Sequence, residues 1–331
     1  MSHPIRHLAL PVALLVLTSA CSSPDPTAES EVVASGTAAT SVPTGESCQA
    51  LTELPEGRIV YSQRKSDGTN AIYLMNPDGT DRRCLVDTEG PDSWPAWSPD
   101  GRSVAFVGGT QDQPNIFTIS GDGTGLAQVT RIEGGERSAL GGLVWSPDGE
   151  AIAYNVEESG NGPFAVRVVG ADGAGDEAIL RSGSDMDFVA VSDWSPDGNT
   201  LLVLVDRAFG IALWAANPDG TNLRLLREST GDFGSGAQFS PDGREIAFQA
   251  DQDGGCIYRS DPTATEVVRL TEGCAAGVAL TWSPDGQSIM WAGGSNGPAD
   301  AEVVGRDGSL RSVVVDSADV AYVDWQPSTG R

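Results

Sequence analysis

A chain of 331 residues with 39% hydrophobic content, 41 glycines and a formal net charge of -26 has ample material for a core, and its surface repels nucleic acid and anionic lipid headgroups. Both histidines, His3 and His7, stand at the extreme N-terminus, so the rest of the chain has no Ser-His-Asp or Cys-His catalysis and no His-ligated zinc or iron. Carboxylate chemistry and oxygen-ligated calcium remain, although no loop carries the D-x-[DN]-x-[DN]-G pattern; no cofactor is expected.

In chain order, Arg6 precedes an apolar run over 8–17, too short for a transmembrane helix, which needs about 20 residues. Thr18-Ser19-Ala20 and then Cys21 follow. This resembles a bacterial lipobox, with Thr where Leu is commonest, and implies a signal peptide over 1–20, cleavage before Cys21 and a lipid on its thiol. Residues 21–48 are rich in Ser, Thr, Pro, Ala and Glu without apolar periodicity, the composition of a polar tether that buries too little to fold. Residues 49–331 form the folded domain.

That domain is repetitive. Trp-Ser-Pro-Asp-Gly begins at Trp97, Trp145, Trp194 and Trp282; Phe239 starts a fifth copy, and Trp325-Gln326-Pro327 is a worn sixth. The steps are 48, 49, 45, 43 and 43 residues. After each turn come three alternating apolar runs, such as 103–107, 115–119 and 126–129, separated by loops and Asp-Gly turns, the pattern of hairpin-linked strands. Three runs precede Trp97 (58–61, 71–75, 82–86), and one, 319–325, ends the chain. Three plus one make a last blade, so the expected fold is an all-β, six-bladed β-propeller of four-stranded blades, its ring closed by three N-terminal strands plus one C-terminal strand. The aromatic residues of the copies are expected to be core between blades.

The Trp-Ser-Pro-Asp-Gly unit, with Ile-Tyr-Leu-Met-Asn-Pro-Asp-Gly-Thr at 72–80, resembles the WD-like repeat of the TolB-like propeller family over about residues 57–327. The resemblance implies architecture, not activity. Similar repeats occur in peptidases whose separate hydrolase domain carries a Ser-Asp-His triad, and this chain has neither room nor histidine for one.

Strand direction sorts the loops. The Ser-Pro-Asp-Gly turns share one face with the turns at Asp78, Asp122, Asp172, Asp219 and Asp307. The irregular loops, 62–70, 87–93, 108–114, 131–140, 157–163, 181–188, 206–209, 228–236, 250–255, 272–277, 292–300 and 316–318, occupy the other, where recognition is expected. Glu133, Glu136, Arg137, Asp185, Asp187, Arg207, Phe209, Asp232 and Phe233 mark that face. The residue before each aromatic approaches the channel: Ala96, Val144, Asp193, Gln238, Thr281 and Asp324, so Asp193 and Asp324 are the channel acids. Export leaves four cysteines in an oxidising compartment; of three pairings, position favours Cys48–Cys84, fastening the tether, and Cys256–Cys274, flanking the one hairpin turn without Asp-Gly.

These readings describe an extracytoplasmic, membrane-anchored monomer that binds a protein or cell-envelope partner through its loop face, without catalysis of its own. The alternatives are a calcium-dependent, lactonase-like hydrolase working with the channel carboxylates, and a propeller that binds a sugar or other small ligand there.

Overall fold

Short apolar and β-branched runs, some alternating with polar residues and some apolar throughout, give every blade its strands, as seen in a computed structural model that describes residues 48, 50–51, 57–88, 90–110, 112–132, 137–158, 162–207, 210–228, 233–250, 256–272, 279–293, 300–309, 311–315 and 320–328. Blade I holds β4 (Ser93–Trp97), β5 (Ser103–Thr110), β6 (Gln113–Ser120) and β7 (Ala127–Gln128). Blade II holds β8 (Arg137–Trp145), β9 (Ala151–Glu158), β10 (Phe164–Gly170) and β11 (Glu177–Arg181). Blade III holds β12 (Phe188–Trp194), β13 (Leu201–Arg207), β14 (Gly210–Ala216) and β15 (Arg224–Arg227). Blade IV holds β16 (Phe233–Phe239), β17 (Ile246–Ala250), β18 (Cys256–Ser260) and β19 (Val268–Arg269). Blade V holds β20 (Ala279–Trp282), β21 (Ser288–Gly293), β22 (Asp300–Gly305) and β23 (Ser312–Val315). The closing blade joins β24 (Val320–Trp325) to β1 (Ile59–Arg64), β2 (Asn70–Met75) and β3 (Arg83–Val86), in the order β24-β1-β2-β3. The six-bladed ring, closed by three N-terminal strands and one C-terminal strand, is as the sequence predicts.

Apolar side chains on both faces of each blade need a partner, and the neighbouring blades supply it. Six buried clusters fill the six joints, one per joint. Each copy's aromatic residue packs in the cluster shared with the preceding blade: Trp97 beside Val60 and Leu74, Trp145 beside Ala96, Phe239 beside Leu202. The indole N–H of Trp145 donates to the Ala96 carbonyl at 3.1 Å, and that of Trp282 to the Gln238 carbonyl at 3.1 Å.

The repeated turn is a small polar cage. Ser146 Oγ donates to Asp148 Oδ1 at 2.5 Å and accepts the Ala151 N–H at 2.9 Å, while Asp148 Oδ1 accepts the Glu150 N–H at 3.0 Å. Gly149 closes it at φ 74°, a left-handed angle that costs glycine nothing. Turns also touch across blades: a Cβ on Gly198 would lie 3.5 Å from the Pro147 ring, and one on Gly243 3.6 Å from that of Pro196. Where Asp-Gly is missing, Ala264 takes the left-handed position at φ 56°, and the Asp261 carboxylate accepts the N–H groups of Thr265 and Glu266 at 2.8 and 2.6 Å.

The last copy is not worn but specialised. Gln326 is wholly buried; its Oε1 accepts the Arg58 N–H at 3.0 Å and its Nε2 donates to the Gly101 carbonyl at 2.7 Å, sewing the closing blade to the first turn of blade I. A disulfide joins Cys48 to Cys84 in β3, with Cα atoms 4.8 Å apart. Three residues on, the Leu51 N–H donates to the Asp122 carbonyl at 2.6 Å, and its side chain packs on the cluster between the closing blade and blade I. Cys256 is buried in β18, 3.2 Å from Arg269 Nη2; Cys274, its predicted partner, lies outside the described residues.

Candidate functional site at the channel and loop face

The inner strands β24, β4, β8, β12, β16 and β20 touch one another around the ring axis. Their residues before the aromatic prove to be joints. Asp324 Oδ2 accepts the Trp97 N–H at 2.7 Å, Asp193 Oδ2 that of Phe239 at 2.7 Å, and Gln238 Oε1 that of Trp282 at 2.9 Å. Thr281 Oγ1 accepts the Trp325 N–H at 3.2 Å and donates to Asp324 Oδ1 at 3.1 Å. Four of six blades thus reach the backbone of the next, a use of the two channel acids that the sequence reading did not foresee. Burial pushes Asp193 up to about 8 against the backbone N–H groups of Phe239 and Trp194, and the Asp324 charge raises it further. Burial likewise pushes Asp324 up to about 6. Both lie deep in the ring, although the channel leaves each in partial contact with solvent. Among the described residues no three His, Cys, Asp or Glu side chains gather where they would hold a metal ion.

Five of the six inner strands carry register shifts, and in three consecutive ones the bulge takes a left-handed residue toward the loop face. Register shifts in β24, β4 and β8 fall at Tyr322, Trp94 and Gly142, each three residues before the copy's Trp. All three take left-handed φ: 54°, 54° and 58°. Glycine suits that angle, and at Gly142 a Cβ would come within 2.1 Å of Asn155 Nδ2. A bulky side chain there is a strained outlier, costing about 1–3 kcal/mol each. Trp94 and Tyr322 nevertheless occupy two of the three positions, their ring centroids 3.8 Å apart. Trp94 is half-buried, and its indole leaves no room for a Cβ on Gly141, which would sit 2.8 Å from Cε2. At the matching positions of β12, β16 and β20 stand Val191, Gly236 and Ala279. The aromatic wall is therefore one-sided, over blade I and the closing blade. Aligning the copies at three residues before the aromatic would have shown it.

Of the residues chosen to mark the loop face, Asp185 and Asp187 are exposed between β11 and β12, and the Asp187 N–H donates to the Asp206 carbonyl at 3.0 Å, which brings Asp187 beside the end of β13, where Arg207 stands. Arg207 lies over the Trp214 ring, 4.3 Å from its centroid. Arg137 and Phe233 begin β8 and β16, their side chains outside the described set; Glu133, Glu136, Phe209 and Asp232, with Cys21, lie wholly outside it. The loop face is also less irregular than expected. Loop 62–70 closes on Asp67-Gly68, with Asp67 Oδ1 accepting the Thr69 N–H at 2.9 Å as in the turns of the opposite face. Strands β5 and β6 run on to Thr110 and from Gln113, which reduces 108–114 to a tight hairpin. Loop 87–93 is held by Asp92, fully buried, which accepts the Thr88 N–H at 2.7 Å and its hydroxyl at 2.6 Å; burial pushes this carboxyl up to about 6.

Comparison with known proteins matches the TolB beta propeller domain (PD40) to residues 31–188 and 144–329. An uncharacterised protein of Agrobacterium fabrum is 28% identical over 59% of this chain and 67% of its own length. Dipeptidyl-peptidase 5 of Porphyromonas endodontalis is 24% identical over 72% of this chain, which spans only 35% of that protein. The Tol-Pal system protein TolB of Anaeromyxobacter dehalogenans is 32% identical over 34% of this chain and 24% of its own. Among solved structures, TolB from Acinetobacter baumannii superposes with a TM-score of 0.69 at 20% identity, over 82% of this chain and 67% of that one. An oligogalacturonate lyase in complex with manganese reaches 0.57 at 16%, over 77% and 73%.

Proposed function

Because the chain belongs to the family of the TolB beta propeller domain, we propose that it is an exported propeller, tethered to a membrane by a lipid on Cys21, that recognises a protein of the cell envelope with its loop-bearing face. The observation that carries this reading is the division of labour between the two faces. One is spent on turns that pack against each other, while the other carries Trp94 and Tyr322 at a backbone angle that favours glycine. Aromatic side chains held rigid in place are the usual anchors of protein interfaces. Likeness to a protein of the Tol-Pal system supports an envelope setting.

The hydrolase reading needs Asp193 and Asp324 as calcium ligands, and the ring already uses both as acceptors between blades. Calorimetry that found micromolar calcium binding, lost in Asp193→Asn, would restore it. For the binding reading, photo-crosslinking residues placed at Asp185 and Arg207 in cells should capture one discrete partner, whereas placement at Asp78, exposed on the opposite face in the closing blade, should capture none. Equal capture from both faces would sink the assignment. Cys21→Ser should move the protein from the membrane to the soluble fraction; retention at the membrane would remove the lipid anchor from the reading.

A further inference from the structure

The aromatic residue of the repeat changes at one joint. Between blades III and IV the aromatic is Phe239, where five other copies have Trp, and the nearby hairpin turn is Asp261-Pro262-Thr263 instead of Asp-Gly. A cleft of about 210 Å³ opens there on the Asp-Gly face, lined by Pro196, Asp197, Arg224, Phe239, Asp242 and Pro262. In blades II and V the same joint is filled by an indole whose N–H reaches a carbonyl of the preceding blade. Phe239 is smaller and carries no such donor. The cleft is thus where the chain withholds a ring that its own repeat supplies elsewhere.

We propose that this cleft accepts one aromatic side chain of a partner protein, in the place of the missing indole. Its size decides the class: about 300 Å³ is the lower end for small-ligand pockets, while a cavity of about 150 Å³ holds a single benzene ring. Its lining decides the chemistry. Pro196, Pro262 and Phe239 offer apolar walls for a flat ring. The exposed guanidinium of Arg224 complements the negative face of an aromatic ring, which an aliphatic side chain lacks. Asp197 and Asp242 are held below the usual carboxylate range, chiefly by the hydroxyls of Ser195 and Ser240, and so remain charged acceptors at the rim for an indole or phenol donor. The cleft is on the face opposite the loops, so this site stands whether or not the loop face binds a partner.

N-acetyl-tryptophanamide, titrated into the intact domain and followed by backbone amide shifts, is expected to perturb residues 195–200 and 239–243, with a millimolar Kd. N-acetyl-leucinamide should bind about tenfold more weakly. Phe239→Trp restores the repeat's own residue; it should raise or preserve the thermal midpoint and abolish the shifts. Four results would overturn the site: no localised shifts, equal binding of the leucine probe, unchanged binding in Phe239→Trp, or a lowered midpoint for that variant, which would show that the indole has no space to enter.

Discussion

Asp193 and Gln238 do one job with different chemistry. Each accepts the N–H of the next blade's aromatic residue, at 2.7 and 2.9 Å, so a neutral oxygen suffices for the joint. The carboxylates then carry a cost the amide does not. Asp193, Asp324 and Asp92 all have their carboxyl groups raised by burial, to about 8, 6 and 6. A carboxyl raised on folding binds its proton more tightly in the native state. Native stability therefore falls as pH rises from the unfolded value near 3.8 through the folded one, and the whole penalty is present above it. The turn acids act oppositely: Asp148 and Asp285 are lowered, so their contribution is complete above the ordinary carboxylate range and lost only below it. The thermal midpoint should thus be higher at pH 5.5 than at pH 8. In Asp193→Asn the slope between pH 6 and 8 should flatten, with stability at pH 8 equal to or above that of the native protein. A calorimetric midpoint independent of pH over that range would refute this account. Trp94 calls for the opposite substitution. Trp94→Gly removes backbone strain but also packing, so stability should change by no more than about 1 kcal/mol while partner capture from the loop face is lost.

The turns were the most legible elements, because everything that determines them is local. Ser-Pro-Asp-Gly encodes its own hydrogen bonds within five residues, and the structure repeats them copy by copy. Ser146→Ala should cost about 1–2 kcal/mol in urea unfolding, since it strips the part-buried Ala151 N–H of its acceptor and Asp148 of a donor. The same substitution at Ser240 should cost a similar amount, as its hydroxyl makes the same pair of bonds. What sequence could not show at this scale is where strands stop. Hairpins β5–β6 and β13–β14 continue into stretches that lacked apolar alternation, because ladder hydrogen bonds extend a pair already registered by its core. Likewise the role of the residue before each aromatic depends on a strand about 45 residues away, in the next unit.

At the level of the ring, strand counting was enough to give closure, since a lone first strand and an incomplete opening blade have only one way to combine. The means of closure was hidden. Gln326 looked like decay in the repeat, yet it bonds residues 268 and 225 positions away. Gln326→Ala should leave the Arg58 N–H without an acceptor and cost about 1–3 kcal/mol, lowering the unfolding midpoint without changing the blade structure read by circular dichroism. The Cys48–Cys84 bond spans a sequence separation of 36 and ties the first described residue to the outer strand of the closing blade. Replacing both cysteines by serine should cost about 2–4 kcal/mol, and reduction should have no further effect on that variant.

The order β24-β1-β2-β3 also sets a clock. Strand β1 is among the first parts of the domain to be made, but one of its edges pairs only with residues 320–325, almost the last. Until they arrive, its N–H and C=O groups face outward in a hairpin that can template pairing with another chain. Contacts this remote in sequence form slowly, because the whole loop between them must first be ordered. The folding chain therefore passes through an interval in which five blades stand complete and the sixth is open, and its vulnerability to aggregation and proteolysis is concentrated there.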